Sequence, residues 1–420
     1  MIYPITDLQD FKRKALKWAS SFDVACYLDS SNFDDRYSKF DCLVAVGVKD
    51  ELVAHVGNAF EQLEDFRKKN TGWVTGFLGY DLKNETEQIT SVNIDQLGFP
   101  DLYFFVPEII IKIKNGEVDI IADNPFAVSE AINLNTVGQL TKKSAIKLTS
   151  RFNKSGYIDA VDRIREHIKW GDIYVTNFCQ EFFAENASIE PLDVFQILNE
   201  ISPNPFAAFF KFKHHYIMSA SPERFLAKRG NKLISQPIKG TAKRGVNHVE
   251  DEVIKLELKS TVKELQENVM VVDLVRNDLT KSAKKGTVKT EELFGVYTFK
   301  QLHQMISTVV CEIDEGVSSI RAIKNTFPMG SMTGAPKLRS MQLMEQFERT
   351  KRGVYSGAVG YFSPDGDFDF NVVIRTLLYN QQNKYLSFHA GSAITFKSDA
   401  EKEHEECLLK AKAIFEVLGK

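Results

Sequence analysis

Strand-like apolar runs and helical segments follow one another along this chain at irregular intervals, and that irregularity constrains the fold most. A barrel or a doubly wound sheet needs a steady strand–helix period, and none emerges. The runs Leu43-Val44-Ala45-Val46-Gly47-Val48, Trp73 to Tyr80 and Leu102 to Ile113 around Pro107 read as β-branched and aromatic strands. Tyr157, Ile158, Val161, Ile164 and Ile168 then mark one face of a helix capped near Ser155. Strands follow at 173–178 and 207–212. A long helix carries Leu258, Val262, Leu265, Val269 and Val272. Further strands are expected near Val309, at 358–362, 372–379 and 385–388, and a helix from about Asp399 to Leu418 closes the chain. This order predicts an α+β fold with large, mainly antiparallel sheets packed together and flanked by helices. The polar stretch from Ser129 to Ser150 is the best boundary, separating an N-terminal region, 1–150, from a larger catalytic region, 151–420.

Composition narrows the function classes. With 420 residues, 43% apolar and 26% charged, the chain has the balance of an ordinary soluble globular protein. A net charge of -3 with both signs mixed argues against a nucleic-acid footprint or a polybasic membrane patch. No run has the length of a membrane span, and the start Met1-Ile2-Tyr3-Pro4 lacks a signal-like segment. The scattered cysteines Cys26, Cys42, Cys179, Cys311 and Cys407 read as free buried thiols in a reducing cytoplasm.

Several segments carry candidate chemistry. Gln236-Pro237-Ile238-Lys239-Gly240-Thr241 puts an amine where a strand meets a glycine turn; it is either a nucleophile or fixed cation beside a small ligand, or a solvated surface charge. Glu264 and Glu267, and likewise Glu403 and Glu406, stand three apart on helices, so each pair shares one face. If the two pairs meet in space they supply hard oxygen ligands to Mg²⁺. A solvated face, or a capping box opened by Ser398-Asp399-Ala400-Glu401, explains them equally. Gly330 to Lys337, a glycine-rich loop ending in proline at a helix start, either holds a small organic anion or is a plain helix-entry turn, and it lacks P-loop spacing. Arg375 in an apolar strand needs a buried anion or an ion-pair partner, and Glu223 either acts chemically or pairs with Arg224.

Taken together, these segments resemble the chorismate-utilising family, which includes component I of anthranilate synthase and of aminodeoxychorismate synthase. The matching pieces run in family order through Gly171-Asp172-Ile173-Tyr174, Ser219 to Phe225, Pro237 to Thr241, Glu267 to Leu279, Phe327 to Lys337, Tyr355 to Tyr361, Ile374 to Leu377 and Glu403 to Lys410. A fainter likeness at Leu28-Asp29-Ser30, Gly72 to Asp81 and Pro100 to Phe105 extends it to the N-terminal region, where relatives often hold a tryptophan.

The resemblance implies an anthranilate synthase component I-like fold. It also implies that Glu267 and Glu406 ligate Mg²⁺, with Glu264 and Glu403 beside them through water. Tyr355, Arg375 and Gly391 would hold the enolpyruvyl carboxylate, and Gly240, Thr241, Thr333, Gly334 and Lys410 would line the rest. Lys239 stands where anthranilate synthases carry alanine and aminodeoxychorismate synthases commonly carry lysine. It therefore implies covalent attack on chorismate, with Glu223 as acid/base, and amination by ammonia to 4-amino-4-deoxychorismate for p-aminobenzoate and folate synthesis. Anthranilate formation and a non-catalytic anion-binding relative are the alternatives. Ammonia from glutamine would come from a separate glutamine amidotransferase subunit. Val175 replaces the lysine of water-adding relatives and the glutamine usual in amine-forming ones. In His303-Gln304-Met305-Ile306-Ser307, counting from Ser307 puts Gln304 at the family's histidine.

Overall fold

The computed structural model describes residues 1–136, 138 and 146–419. Two large sheets carry the architecture, and every pairing between named strands is antiparallel. Across one sheet the strands run Ile2–Pro4, Glu117–Ile121, Ile109–Lys114, Cys42–Val46, Val24–Asp29, Phe206–Phe212, His215–Ser221, Thr376–Asn380, Tyr385–Thr395, Val175–Ala184 and Gly334–Ala335. Across the other run Ile238–Lys243, Leu302–Glu312, Lys232–Gln236, Arg224–Arg229, Phe368–Val372, Ala358–Phe362, Val74–Leu78, Leu102–Val106 and Asp50–Ala54. Regions 1–150 and 151–420 interleave, because each contributes strands to both sheets. Part of the Ser129–Ser150 boundary stretch lies outside the described residues.

Side-chain alternation explains why the sheets pack. In Cys42–Val46, Cys42, Val44 and Val46 enter the core beneath the helices, while Leu43 and Ala45 enter the core between the sheets. With both faces covered, the strand is apolar throughout. All five cysteines are buried free thiols. Among the described residues no helix is long and apolar enough to cross a membrane.

Local structure departs from the sequence pattern at instructive points. The helix expected through Leu258 and Val272 is two helices, His248–Ser260 and Val262–Thr280, because Thr261 between them is extended at ψ 114°. The helix Lys154–Lys169 is capped by Asn153, whose side chain accepts from the Gly156 amide, and not by Ser155. Asp399, not Ser398, caps the helix Ala400–Val417. The strand expected at 372–379 breaks after Val372. Val373 to Arg375 cross from one sheet to the other, and Arg375 takes a positive φ of 52° to make the turn.

Candidate active site

A cavity of about 470 Å³ opens where Ile238–Lys243, the sheet-crossing segments 222–223 and 373–375, and the helices Val262–Thr280 and Ala400–Val417 converge. Lys239, Glu223, Gly240, Thr241, Tyr355 and Arg375 line it. So do Gly391, Lys410 and all of Glu264, Glu267, Glu403 and Glu406. The two helical acid pairs, over a hundred residues apart in the chain, thus face one space.

Lys239 is set by a β-bulge and not by a turn ending the strand. Ile238 pairs with Ile306 and Thr241 with Gln304, so Lys239 and Gly240 together oppose Met305. Gly240 allows this with φ 105°, and a Cβ there would come within 3.1 Å of Met305 Cβ and 3.3 Å of Glu264 Oε2. The Asn268 side chain donates to the Lys239 carbonyl at 2.9 Å, pinning the bulge to the long helix. Among the described residues the Lys239 ammonium has no ion-pair partner within 4.0 Å. Burial pushes its pKa down, against the upward pull of Glu267, and the nearby Lys410 cation adds to the lowering.

Glu223 and Arg375 come from the two crossings. Glu223 is 3% exposed, and burial pushes its carboxyl up to about 7. It does not pair with its neighbour: Arg224 points the other way, to Asp369 at 2.9 Å and to Asp35. Arg375 has no carboxylate within salt-bridge reach among the described residues, and burial lowers it to about 10. A guanidinium kept inside without a counter-ion is costly, so this wall is built for an anion that arrives from outside. Tyr355 is 4% exposed and stacks on His389, ring centroids 5.0 Å apart at 18°. Gly391 lets its strand lie close to the next one, since a Cβ would sit 2.5 Å from the Phe178 carbonyl oxygen.

The acids crowd one another. Burial, then the adjacent Glu267, raises Glu264; burial, then Glu406, raises Glu403. Glu406 is held down by Lys410, whose amine lies 2.7 Å away and also donates to the Gly391 carbonyl at 3.1 Å. Ser398 donates to Glu403 at 2.8 Å, which is its use in place of a helix cap. Glu267 Oε1 is buried without a hydrogen-bond partner and has only Lys263 at 3.7 Å. Among the described residues no three His, Cys, Asp or Glu side chains are drawn up tightly enough to hold an ion unaided. A small cation that keeps most of its waters and takes one or two carboxylates does not need such a cage.

Other expected residues lie elsewhere. Thr333 is 2% exposed and donates to backbone carbonyls of Met329 and Gly330, while Gly334 pairs with Thr176, so both stand behind the wall. Their neighbours Ser331 and Met332 line the cavity instead. The helix Lys337–Phe347 begins after Pro336, and Lys337 binds Asp278 and the carbonyls of Thr326 and Pro328. Val175 is buried in strand pairing with Thr395 and Ala335, outside the lining. His303 is fully buried and held by Asp251 at 2.8 Å and Thr298 at 3.0 Å; Gln304 faces the cavity. Near Leu28-Asp29-Ser30 the open space is about 50 Å³, far smaller than the main cavity, and Asp29 is tied to Lys12 at 2.8 Å.

Sequence reasoning passed over Ser331 and His389 as cavity residues, and reached Gln304 only through the family likeness, which puts it at a histidine position. Each carries a buried polar atom without a hydrogen-bond partner, as Glu267 does. Burial lowers His389 to about 4, so its ring is neutral. Each such atom costs roughly 1–3 kcal/mol, and their gathering around one cavity is the mark of a polar ligand. Only the alternation of His389 with Gly391 in the strand Tyr385–Thr395 signals this in the sequence.

Comparison with known proteins agrees with this geometry. Residues 24–416 match the family model described as chorismate binding enzyme. The chain is 32% identical to anthranilate synthase component 1 of Cereibacter sphaeroides, over 81% of this chain and 72% of that one. It is 31% identical to aminodeoxychorismate synthase component 1 of Bacillus subtilis, over 82% and 76%. The crystal structure of anthranilate synthase component I from Streptococcus pneumoniae superposes with a TM-score of 0.79 at 26% identity, covering 91% of this chain and 93% of that one. An anion-seeking arginine, converging acids and a family match along nearly the whole length lead to one conclusion: this chain belongs to the chorismate binding enzyme family.

Proposed function

We propose that the chain is component I of an aminodeoxychorismate synthase, converting chorismate and ammonia to 4-amino-4-deoxychorismate. The observation that carries this reading is the Lys239 amine, lowered by burial and free of any ion pair, in one cavity with Glu223. Arg375 and Tyr355 suit the enolpyruvyl carboxylate. Glu267 and Glu406 are the proposed Mg²⁺ ligands, backed by Glu264 and Glu403, and the orphaned Glu267 Oε1 supports the fit. The ion would neutralise the crowded acids and grip the ring carboxylate.

The neutral Lys239 nitrogen attacks ring carbon 2. The diene electrons shift, the bond from carbon 4 to its hydroxyl breaks, and Glu223 gives the departing oxygen its proton, releasing water. Glu223 then recovers a proton from the new lysine–carbon nitrogen. Ammonia attacks carbon 4, the double bonds return, and the lysine–carbon 2 bond breaks. The surplus proton on the entering nitrogen passes to the leaving amine through Glu223. The sum is chorismate plus ammonia giving aminodeoxychorismate plus water. Dividing one hard displacement into two is the gain from a covalent intermediate. Burial raises Glu223 to about 7 and lowers Lys239, which brings the two groups closer for exchanging a proton.

The relatives are named as component 1, which supports a separate glutamine-hydrolysing component II as the source of ammonia. The product would feed p-aminobenzoate and folate synthesis. The test is incubation with chorismate, ammonium and Mg²⁺, with product analysis and intact-mass spectrometry. Aminodeoxychorismate and a Lys239 adduct are expected. Anthranilate formed without any added lyase would overturn this choice in favour of an anthranilate synthase.

A further inference from the structure

Cationic side chains of the cavity such as Lys239, Arg375, Lys410 and Lys263 only donate hydrogen bonds, and they suit the substrate's carboxylates. An ionised glutamate of the cavity would hold ammonium in its protonated, non-nucleophilic form, and Glu223 is engaged as the proton carrier. A neutral ammonia molecule with its lone pair free needs a neutral acceptor for its N–H groups.

Gln304 offers one. It is 3% exposed, and its Oε1 is buried without any hydrogen-bond partner. Its backbone pairs with Thr241, the residue that ends the Lys239 bulge, so its side chain and that of Thr241 share one face beside the nucleophile. The neighbouring His303 is saturated by Asp251 and Thr298 and cannot turn to the cavity without breaking both contacts. An amide neither gains nor loses a proton near neutral pH. It can therefore orient ammonia without protonating it. The other neutral orphan acceptors sit elsewhere: His389 lies against Tyr355 on the carboxylate side, and Ser331 lies beside Glu223.

We propose that Gln304 is the ammonia-positioning residue, its side-chain carbonyl holding the incoming nucleophile next to the carbon that Lys239 has activated. The inference rests on the amination reading given above. In the step concerned, the nitrogen–carbon 4 bond forms as the lysine–carbon 2 bond breaks, and Gln304 takes no proton.

The experiment measures steady-state kinetics of the full chain with ammonium as nitrogen source. Gln304→Met keeps the length and removes the amide. Its KM for ammonium is expected to rise about 3- to 10-fold, the worth of one neutral hydrogen bond. The chorismate KM, and the rate of Lys239 adduct formation without ammonium, are expected to stay within about twofold. If Gln304→Met does not fold, Gln304→Asn, which draws the amide back by one methylene, carries the same expectation. An unchanged ammonium KM, or a parallel loss in adduct formation and melting temperature, would overturn the role of Gln304. Absence of the adduct in the wild-type enzyme would instead count against the proposed function.

Discussion

Glu223 and Arg375 stand at matching positions, each on the segment where a strand leaves one sheet and enters the other. The strand His215–Ser221 continues through Glu223 into Arg224–Arg229, and Phe368–Val372 continues through Arg375 into Thr376–Asn380. The crossings are laced together: the Ala220 amide donates to the Arg375 carbonyl at 3.2 Å, and the Val372 amide to the Glu223 carbonyl at 3.0 Å. An acid and a cation are thereby held by backbone on neighbouring segments, so neither depends on a flexible loop for its place.

Arg375→Met should separate stability from binding. Removing a half-buried guanidinium without a counter-ion in salt-bridge reach is expected to raise the melting temperature of the free protein. It should also raise the chorismate KM about 10- to 100-fold, the worth of hydrogen bonds to a charged group. Thermal unfolding and steady-state kinetics on the same variant check both. A lower melting temperature would show that Arg375 has a structural partner after all.

Glu223 should leave its mark on pH dependence. Its folded pKa of about 7 lies above the ordinary 4.5, so the fold favours its protonated form. That contribution is fully present below about 4.5 and is lost as pH rises through about 7. Glu223→Gln is therefore expected to be the more stable protein at pH 8, by up to about 3 kcal/mol. The same change should cut kcat roughly 10²- to 10⁴-fold and remove the fall in activity above neutrality. Denaturant titration at two pH values and a pH–rate profile measure these.

Lys239→Ala should abolish the covalent adduct and most of the amination while the chain still binds chorismate. Intact-mass spectrometry reads the adduct and equilibrium binding reads the substrate. An adduct persisting in the alanine variant would place the nucleophile elsewhere.

Added Mg²⁺ is expected to raise the melting temperature, because an ion that binds only the folded state stabilises it by mass action. Glu267→Gln and Glu406→Gln should each weaken that response, and calorimetric titration would give the change in affinity. An undiminished Mg²⁺ shift in both variants would rule out the proposed ligand pairs.

His303→Ala should destabilise the chain by roughly 1–3 kcal/mol, because it empties a fully buried position and removes one hydrogen bond to Asp251, which keeps those from Arg244 and the Gly245 amide. The rate of Lys239 adduct formation should be unaltered, since His303 does not line the cavity. A slowed adduct with unchanged stability would restore a chemical role to this histidine.

Helix and strand types are legible because local periodicity creates them. The alternation in Leu43-Val44-Ala45-Val46, the apolar face from Tyr157 to Ile168 and the three-residue spacing of the acid pairs all survive into the structure. What local pattern misses are the breaks. Thr261 and the turn at Arg375 interrupt otherwise continuous apolar periodicity: Thr261 is extended between two helices, and at Arg375 the chain passes from one sheet to the other. Caps are misplaced by one or two residues, at Asn153 and Asp399, since several polar residues compete for each helix start.

From the chain's own order of residues come its α+β character, the family likeness and most of the cavity's charged groups, because each is written in short-range spacing or in motifs. Which of His303 and Gln304 faces the cavity, that Glu223 turns away from Arg224, and that Thr333 and Gly334 stand behind the wall are matters of long-range pairing. Adjacent residues on a strand face opposite sides, so a single step of register exchanges a buried structural contact for a place in the cavity wall. Register is settled between strands far apart in sequence, and there the orphaned oxygens of Glu267 and Gln304 first come into view together.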